Sequence, residues 1–272
     1  MTRCAITRSP ILDDSPMSFR TLKLTLAYDG TNYCGWQRQE NGLSIQQVVE
    51  EAFVPLVDPD GTGHGAPTVV AAGRTDAGVH ALGQVTSVNV EIDTAASAVQ
   101  RALNVRMPTD IRVLGVVDAM PGFHARFHAR GKTYRYRIAT LPVVSPFDRL
   151  YVFHAAGRYD VSRMRDAAAA LTGRHDFASF QTAGSWPLDT VRTIHRLEIR
   201  EAAGEIVIEV DGDGFLRHMV RAIAGTLLEV GQGQRDAGSM SALLATRDRH
   251  GAGRTLPAAG LTLVAVQYRD LQ

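Results

Sequence analysis

Residues 191–210 read VRTIHRLEIREAAGEIVIEV. Val191–Arg200 and Glu205–Val210 are rich in β-branched residues and alternate apolar with polar side chains, the period of a half-buried strand. Only a short segment ending in Ala202-Ala203-Gly204 separates them. Strands joined so closely form an antiparallel hairpin, because a parallel pair needs a crossover of about a dozen residues or more. Downstream, Phe215–Val230 has helical spacing and stops at Gly231. A shorter helix is predicted at Ser239–Ala245, and Leu261–Tyr268 alternates as a last strand. Upstream lie a strand at Thr133–Thr140 and a helix capped by Asp160 that runs through Leu171, with Gly173 suited to its C-terminal end.

The first half has the same style without repeating the sequence. Leu22, Leu24 and Leu26 alternate with polar residues up to Tyr28, and a Gly-rich loop, DGTNYCGWQRQENG, follows. Ser44 and Gln47 have capping-box spacing ahead of Ile45, Val48, Val49, Ala52 and Phe53. Strands at Val69–Ala72, Gly83–Val90 and Ile111–Val117 and a helix at Thr94–Val105 complete it. Mixed elements with adjacent strands predict an α+β protein with largely antiparallel sheets. The length of 272 residues suits two mixed domains. The pattern places them at 19–120 and 121–272, divided where Met-Pro-Gly interrupts Ala119–Phe123, after a disordered tail at 1–18.

A net charge of +1 neither announces nor excludes a nucleic-acid binder, since binding needs a local basic patch. Two cysteines, Cys4 and Cys34, make no disulfide framework and point to a reducing cytoplasm. No apolar run reaches the ~18 residues a membrane span needs. Residues 1–18 lack the apolar core of a secretory signal. Met17, just ahead of the first strand, is the expected start.

Three stretches carry chemistry. In GRTDAGVH, Gly73 and Gly78 flank Asp76 after a strand. Such a loop is commonly a plain turn. With Arg74 two residues away, it also suits a carboxylate kept ionised for attack. HARFHARGKTYRYR, 124–137, holds five cations, interleaved aromatics and no acid, the mixture that binds a polyanion with stackable bases. Its bland reading is a strand with one solvated basic face, Thr133, Arg135 and Arg137, and tyrosines on the other. In FLRHMVR, 215–221, Arg217 and Arg221 stand four apart on the predicted helix, and a buried Arg221 would need an anion such as Asp76. Metal and nucleotide motifs are missing from the sequence, as is the GxSxG context for Ser179 or Ser185.

These stretches resemble the tRNA pseudouridine synthase A family. The match runs in order through Tyr28-Asp29-Gly30-Thr31 with Gly35-Trp36-Gln37, GRTDAGVHA with Gln84-Val85, Lys132-Thr133-Tyr134-Arg135-Tyr136, His175-Asp176-Phe177 with Ser179-Phe180, and FLRHMVR. It spans about residues 21–268. Tyr33, where Phe is common, and Cys34 are mild departures, and the N-terminal tail has no counterpart. The resemblance implies the pseudouridine synthase fold, with two domains meeting at a central cleft. It implies a homodimer without cofactor or metal, acting on uridines 38, 39 and 40 on the 3′ side of the tRNA anticodon stem-loop. It makes Asp76 the catalytic carboxylate, Tyr134 the ring that stacks on the target base, Arg74 and Arg221 basic residues of the cleft, and Leu216 a neighbour of the base. Arg126, Arg130 and Lys132 are candidate phosphate contacts. The competing readings are a non-catalytic RNA-binding protein and a metal-assisted hydrolase using Asp76 and His80.

Overall fold

Ten strands make one mixed sheet in the computed structural model, which describes residues 19–63, 65–182 and 189–269. The expected tail at 1–18, Met17 and Ser185 lie outside the described residues. In chain order the elements are β1 (Arg20–Tyr28), α1 (Ile45–Val57), β2 (Val70–Ala71), β3 (His80–Val90), α2 (Ala96–Arg106), β4 (Ile111–Asp118), β5 (Ala129–Ala139) and β6 (Phe153–His154). They continue with α3 (Val161–Ala169), β7 (Gly173–Asp176), β8 (Val191–Ala202), β9 (Glu205–Gly212), α4 (Met219–Gly231), α5 (Met240–Thr246) and β10 (Leu261–Tyr268). The class is α+β.

The hairpin forms as its sequence requires. Ile199 pairs with Ile208 and Ala202 with Glu205, so the turn is only Ala203-Gly204. Both residues have positive φ, 51° and 80°, the backbone of a tight two-residue turn whose twist matches its strands. At the start of α1, Ser44 accepts the Gln47 N–H at 3.2 Å. The Gln47 side chain turns to Glu51 instead of closing the capping box.

The sheet order is β4-β1-β3-β10-β5-β9-β8-β7, with β2 beside β3 and β6 beside β5. All pairs are antiparallel except β6 with β5 and β10 with β3. The last strand therefore inserts between the two halves and joins their largely antiparallel strands in one continuous sheet. Leu22, Leu24 and Leu26 of β1 and Ile206, Ile208 and Val210 of β9 lie in a single core. Each such buried side chain contributes about 1.5–3 kcal/mol. Helices α1 and α2 cover the first half and α3 and α4 the second.

The other face of the second half carries a charge ladder. Arg135 pairs with Glu209 (2.9 Å), Arg137 with Glu205 (2.7 Å), and Arg196 with Glu209 and Asp211. The bland reading thus holds for Arg135 and Arg137, whose charges are met across the strands. Tyr136 is likewise core, its hydroxyl donating to the Pro257 carbonyl.

The helix predicted from Phe215 begins only at Met219, because His218 adopts a left-handed backbone, φ 64°. That conformation costs a non-glycine residue about 1–2 kcal/mol. Arg217 therefore lies in the preceding turn, exposed, and not one helical turn from Arg221.

Candidate active site

Asp76 sits in the connection from β2 to β3, and that loop is fastened on several sides. The Gln84 side chain donates to the Gly73 carbonyl (2.8 Å). The Thr75 and Tyr28 hydroxyls bond each other at 2.8 Å. The Trp36 N–H donates to the Thr75 carbonyl, and the Gly78 N–H to that of Tyr33. The 30–36 segment approaches closely enough to need glycine. A Cβ on Gly30 would lie 2.0 Å from the Val79 oxygen, and one on Gly35, itself at φ 102°, would lie 2.7 Å from the Thr75 oxygen. The Tyr28–Thr31 and Gly35–Gln37 motifs thus form the seat of the Asp76 loop.

One oxygen of the carboxylate faces two nitrogens. Asp76 Oδ2 is 3.6 Å from Arg221 Nη1 and 3.4 Å from His218 Nε2. Both contacts are longer than a hydrogen bond, and catalytic contacts commonly tighten only with substrate in place. Arg221 is fixed from behind, its Nε donating to the Leu256 carbonyl at 2.6 Å. His218 Nδ1 is 2.7 Å from the Thr182 hydroxyl. Burial depresses the His218 pKa. Asp76 opposes that shift, while the cations of Arg221, Arg217 and Arg249 add to it. Arg74 is exposed, and the structure brings Arg221 and His218 to Asp76 in its place.

Tyr134 reaches the same place from β5. It is 8% exposed, and its ring meets Phe215 edge-on, centroids 5.2 Å apart. Burial, and then the neighbouring Tyr28 and Asp76, raise its pKa and keep the phenol neutral. Among the described residues its hydroxyl has no hydrogen-bond partner. Leu216 is buried nearby in sequence, next to Phe215. Lys132 shares the Tyr134 strand face two residues away and packs against the Asp76 loop, since a Cβ on Gly73 would lie 3.0 Å from its Cε. Burial, with the charges of Arg126 and Arg192, lowers the Lys132 pKa. Arg126 and Arg130 are exposed, and so is Phe127, whose ring stacks on His124 at 4.2 Å.

The structure therefore gathers Asp76, Arg221 and Tyr134, with Lys132 beside the loop. The sequence reading missed His218, Thr182 and Arg192. His218 was inside a quoted motif, but the helical spacing of its neighbours hid it. His80 does not join Asp76: its Nδ1 faces Asp29 and the Gly30 N–H, both at 3.1 Å, and its Nε2 faces the Leu150 carbonyl at 3.0 Å. Ser179 is buried and donates to the Leu243 carbonyl. No cluster of three or more His, Cys, Asp or Glu suited to a metal occurs among the described residues.

A family model described as tRNA pseudouridine synthase matches residues 25–128 and 167–269. The tRNA pseudouridine synthase A of Geobacter sulfurreducens is 43% identical over 249 residues, 92% of this chain and all of that protein. That of Lacticaseibacillus casei is 43% identical over 251 residues, 90% of this chain and 98% of that one. A solved archaeal box H/ACA sRNP Nop10–Cbf5 complex is a far more distant likeness. It is 11% identical with a TM-score of 0.35, covering 88% of this chain and 46% of that one. The chain belongs to the tRNA pseudouridine synthase family, enzymes that isomerise uridine to pseudouridine in tRNA.

Proposed function

We propose that this protein converts uridine to pseudouridine at positions 38, 39 and 40 of the tRNA anticodon arm, with Asp76 as the reacting carboxylate. The observation that carries the reading is the placement of Asp76: one oxygen held toward Arg221 and His218, beside a buried phenol.

The reaction breaks N1–C1′ and forms C5–C1′. The proton lost from C5 is balanced by one gained at N1, so no redox cofactor or external donor is required. Asp76 attacks C1′, attacks C6 of the uracil, or removes the 2′ proton on a glycal route. All three need the free carboxylate. Tyr134 stacks on the detached uracil, worth ~1–3 kcal/mol, and its unpartnered hydroxyl is the candidate acceptor of the C5 proton. Because the phenol is neutral, it must pass its own hydrogen on as it accepts. Leu216 packs against the base, and the exposed Arg74 is a further cation for the RNA in the Asp76 loop. The target nucleotide leaves its stack at a cost of a few kcal/mol, which phosphate contacts from Arg126, Arg130 and Lys132 offset.

The reading extends to a cytoplasmic homodimer, supported by few cysteines and by Leu82, Leu114 and Val117, each more than half exposed. No described helix is long and apolar enough to cross a membrane. The test is tritium release from C5-labelled uridine in tRNA, with the modified positions mapped and chelator added in parallel. Chelator-insensitive release at 38–40 is expected. No release, or release only elsewhere, overturns the reading.

A further inference from the structure

We propose that His218 is a positioning residue that, with Arg221, occupies Oδ2 of Asp76 and leaves Oδ1 free to react. The inference rests on the reading of Asp76 as the reacting carboxylate. Four observations carry it. First, both nitrogens approach the same oxygen, at 3.4 and 3.6 Å, distances that close to hydrogen bonds as the site tightens around substrate, and neither carboxylate oxygen has another hydrogen-bond partner among the described residues. Second, the imidazole is itself held, with Nδ1 2.7 Å from the Thr182 hydroxyl. A Thr182 hydroxyl donating to Nδ1 puts the ring hydrogen on Nε2, the atom that faces the carboxylate. Third, the backbone at His218 is left-handed, φ 64°, where glycine or asparagine is at home. A histidine kept in that conformation at the head of α4 aims its ring at the loop from β2. Fourth, the groups around the ring are Asp76 from the β2–β3 loop, Arg217 and Arg221 from its own segment, Arg249 from the turn after α5, and Thr182. Burial disfavours a charged imidazole more than Asp76 favours one, and the three guanidiniums add to the effect of burial, so the ring donates in its neutral form and brings no further cation to the site.

A guanidinium alone can grip both carboxylate oxygens side by side. A second donor on Oδ2 opposes that geometry and fixes the plane of the carboxylate against the ribose. Misplacement by about 1 Å in such a site costs on the order of 10²-fold in rate.

The experiment compares His218→Gly and His218→Gln with wild type, measuring kcat by tritium release and tRNA Kd separately. Glycine accepts the backbone and removes the ring, and glutamine restores an N–H near the Nε2 position. The expected result for His218→Gly is tRNA Kd within about twofold of wild type and kcat lower by about 10- to 10²-fold. His218→Gln should recover most of that loss. Wild-type kcat in His218→Gly overturns the proposal, and so does an equal loss in both variants. A wild-type enzyme that releases no tritium overturns the parent reading first, which sets that failure apart.

Discussion

Tyr28 and Tyr134 stand in one row across the sheet, with only Ala81 and Leu263 between them: Tyr28 pairs with Ala81, Ala81 with Leu263, and Leu263 with Tyr134. Directly paired residues share a face, so both rings project to the side where the Asp76 loop lies. Tyr28 binds the loop through Thr75, and burial pushes its hydroxyl pKa up to about 12, so it stays protonated. Tyr28→Phe leaves the Thr75 hydroxyl without its partner. A stability loss of about 1–3 kcal/mol is expected, with a fall in kcat larger than any change in tRNA affinity. Denaturant unfolding and single-turnover assays check the two halves of this expectation. An unchanged kcat would show that the loop holds Asp76 without Tyr28.

Asp76→Asn keeps the side-chain shape and removes the negative charge. Arg221 and His218 then face a neutral amide. Folding and tRNA binding should persist, because the carboxylate is one-third exposed and the loop is held by other residues. Turnover should be lost. Filter binding and tritium release on the same preparation separate the outcomes, and substantial residual release would remove Asp76 from its role.

The parts of this fold that are legible in the sequence are local. The alternation of Leu22, Leu24 and Leu26, the 191–210 hairpin and the glycine-flanked Asp76 are each set within a few residues. The insertion of β10 between β3 and β5 is not, since it joins Thr262 to His80 across most of the chain and no short-range period encodes it. Strands β6 and β7 have two and four residues, too few for a period to show. The pairing of Arg135 and Arg137 depends on the register of β5 against β9, so a basic run in sequence is partly neutral in space. His218 was hidden because Val220, Ile223 and Leu227 keep helical spacing past a residue whose own backbone is not helical.

That difference among the arginines and lysines gives a salt-dependence prediction. Lys132 and Arg126 have no carboxylate ion pair among the described residues, whereas Arg135 is bound to Glu209 through two nitrogens. Lys132→Ala and Arg126→Ala should each weaken tRNA binding and lower the slope of log K against log salt by about 0.7–0.9. Arg135→Ala should leave the slope unchanged. Titrations at several salt concentrations decide it, and a reduced slope for Arg135→Ala would put the RNA on the opposite sheet face.

Tyr134→Phe separates stacking from proton transfer. The ring and its edge contact with Phe215 persist, so tRNA affinity should change by less than about threefold while C5 tritium release slows by about 10²-fold or more. An unchanged rate would mean that water takes the C5 proton.

Acid stability should report on His218. Burial, reinforced by Arg221, Arg217 and Arg249, holds its folded pKa below the usual ~6.5. As pH falls through ~6.5, the unfolded chain takes up a proton that the folded chain still refuses. The unfolded state then binds more protons, and stability falls with falling pH until the folded pKa is passed. Asp29 and Asp176, both held below the ordinary carboxylate range, lose their contributions only at lower pH. Urea unfolding at pH 7.5 and 5.5 should therefore show a loss on acidification that His218→Gln reduces. Equal losses in the two proteins would mean that His218 is as easily protonated in the folded chain as in the unfolded one, against the burial and the three guanidiniums around it.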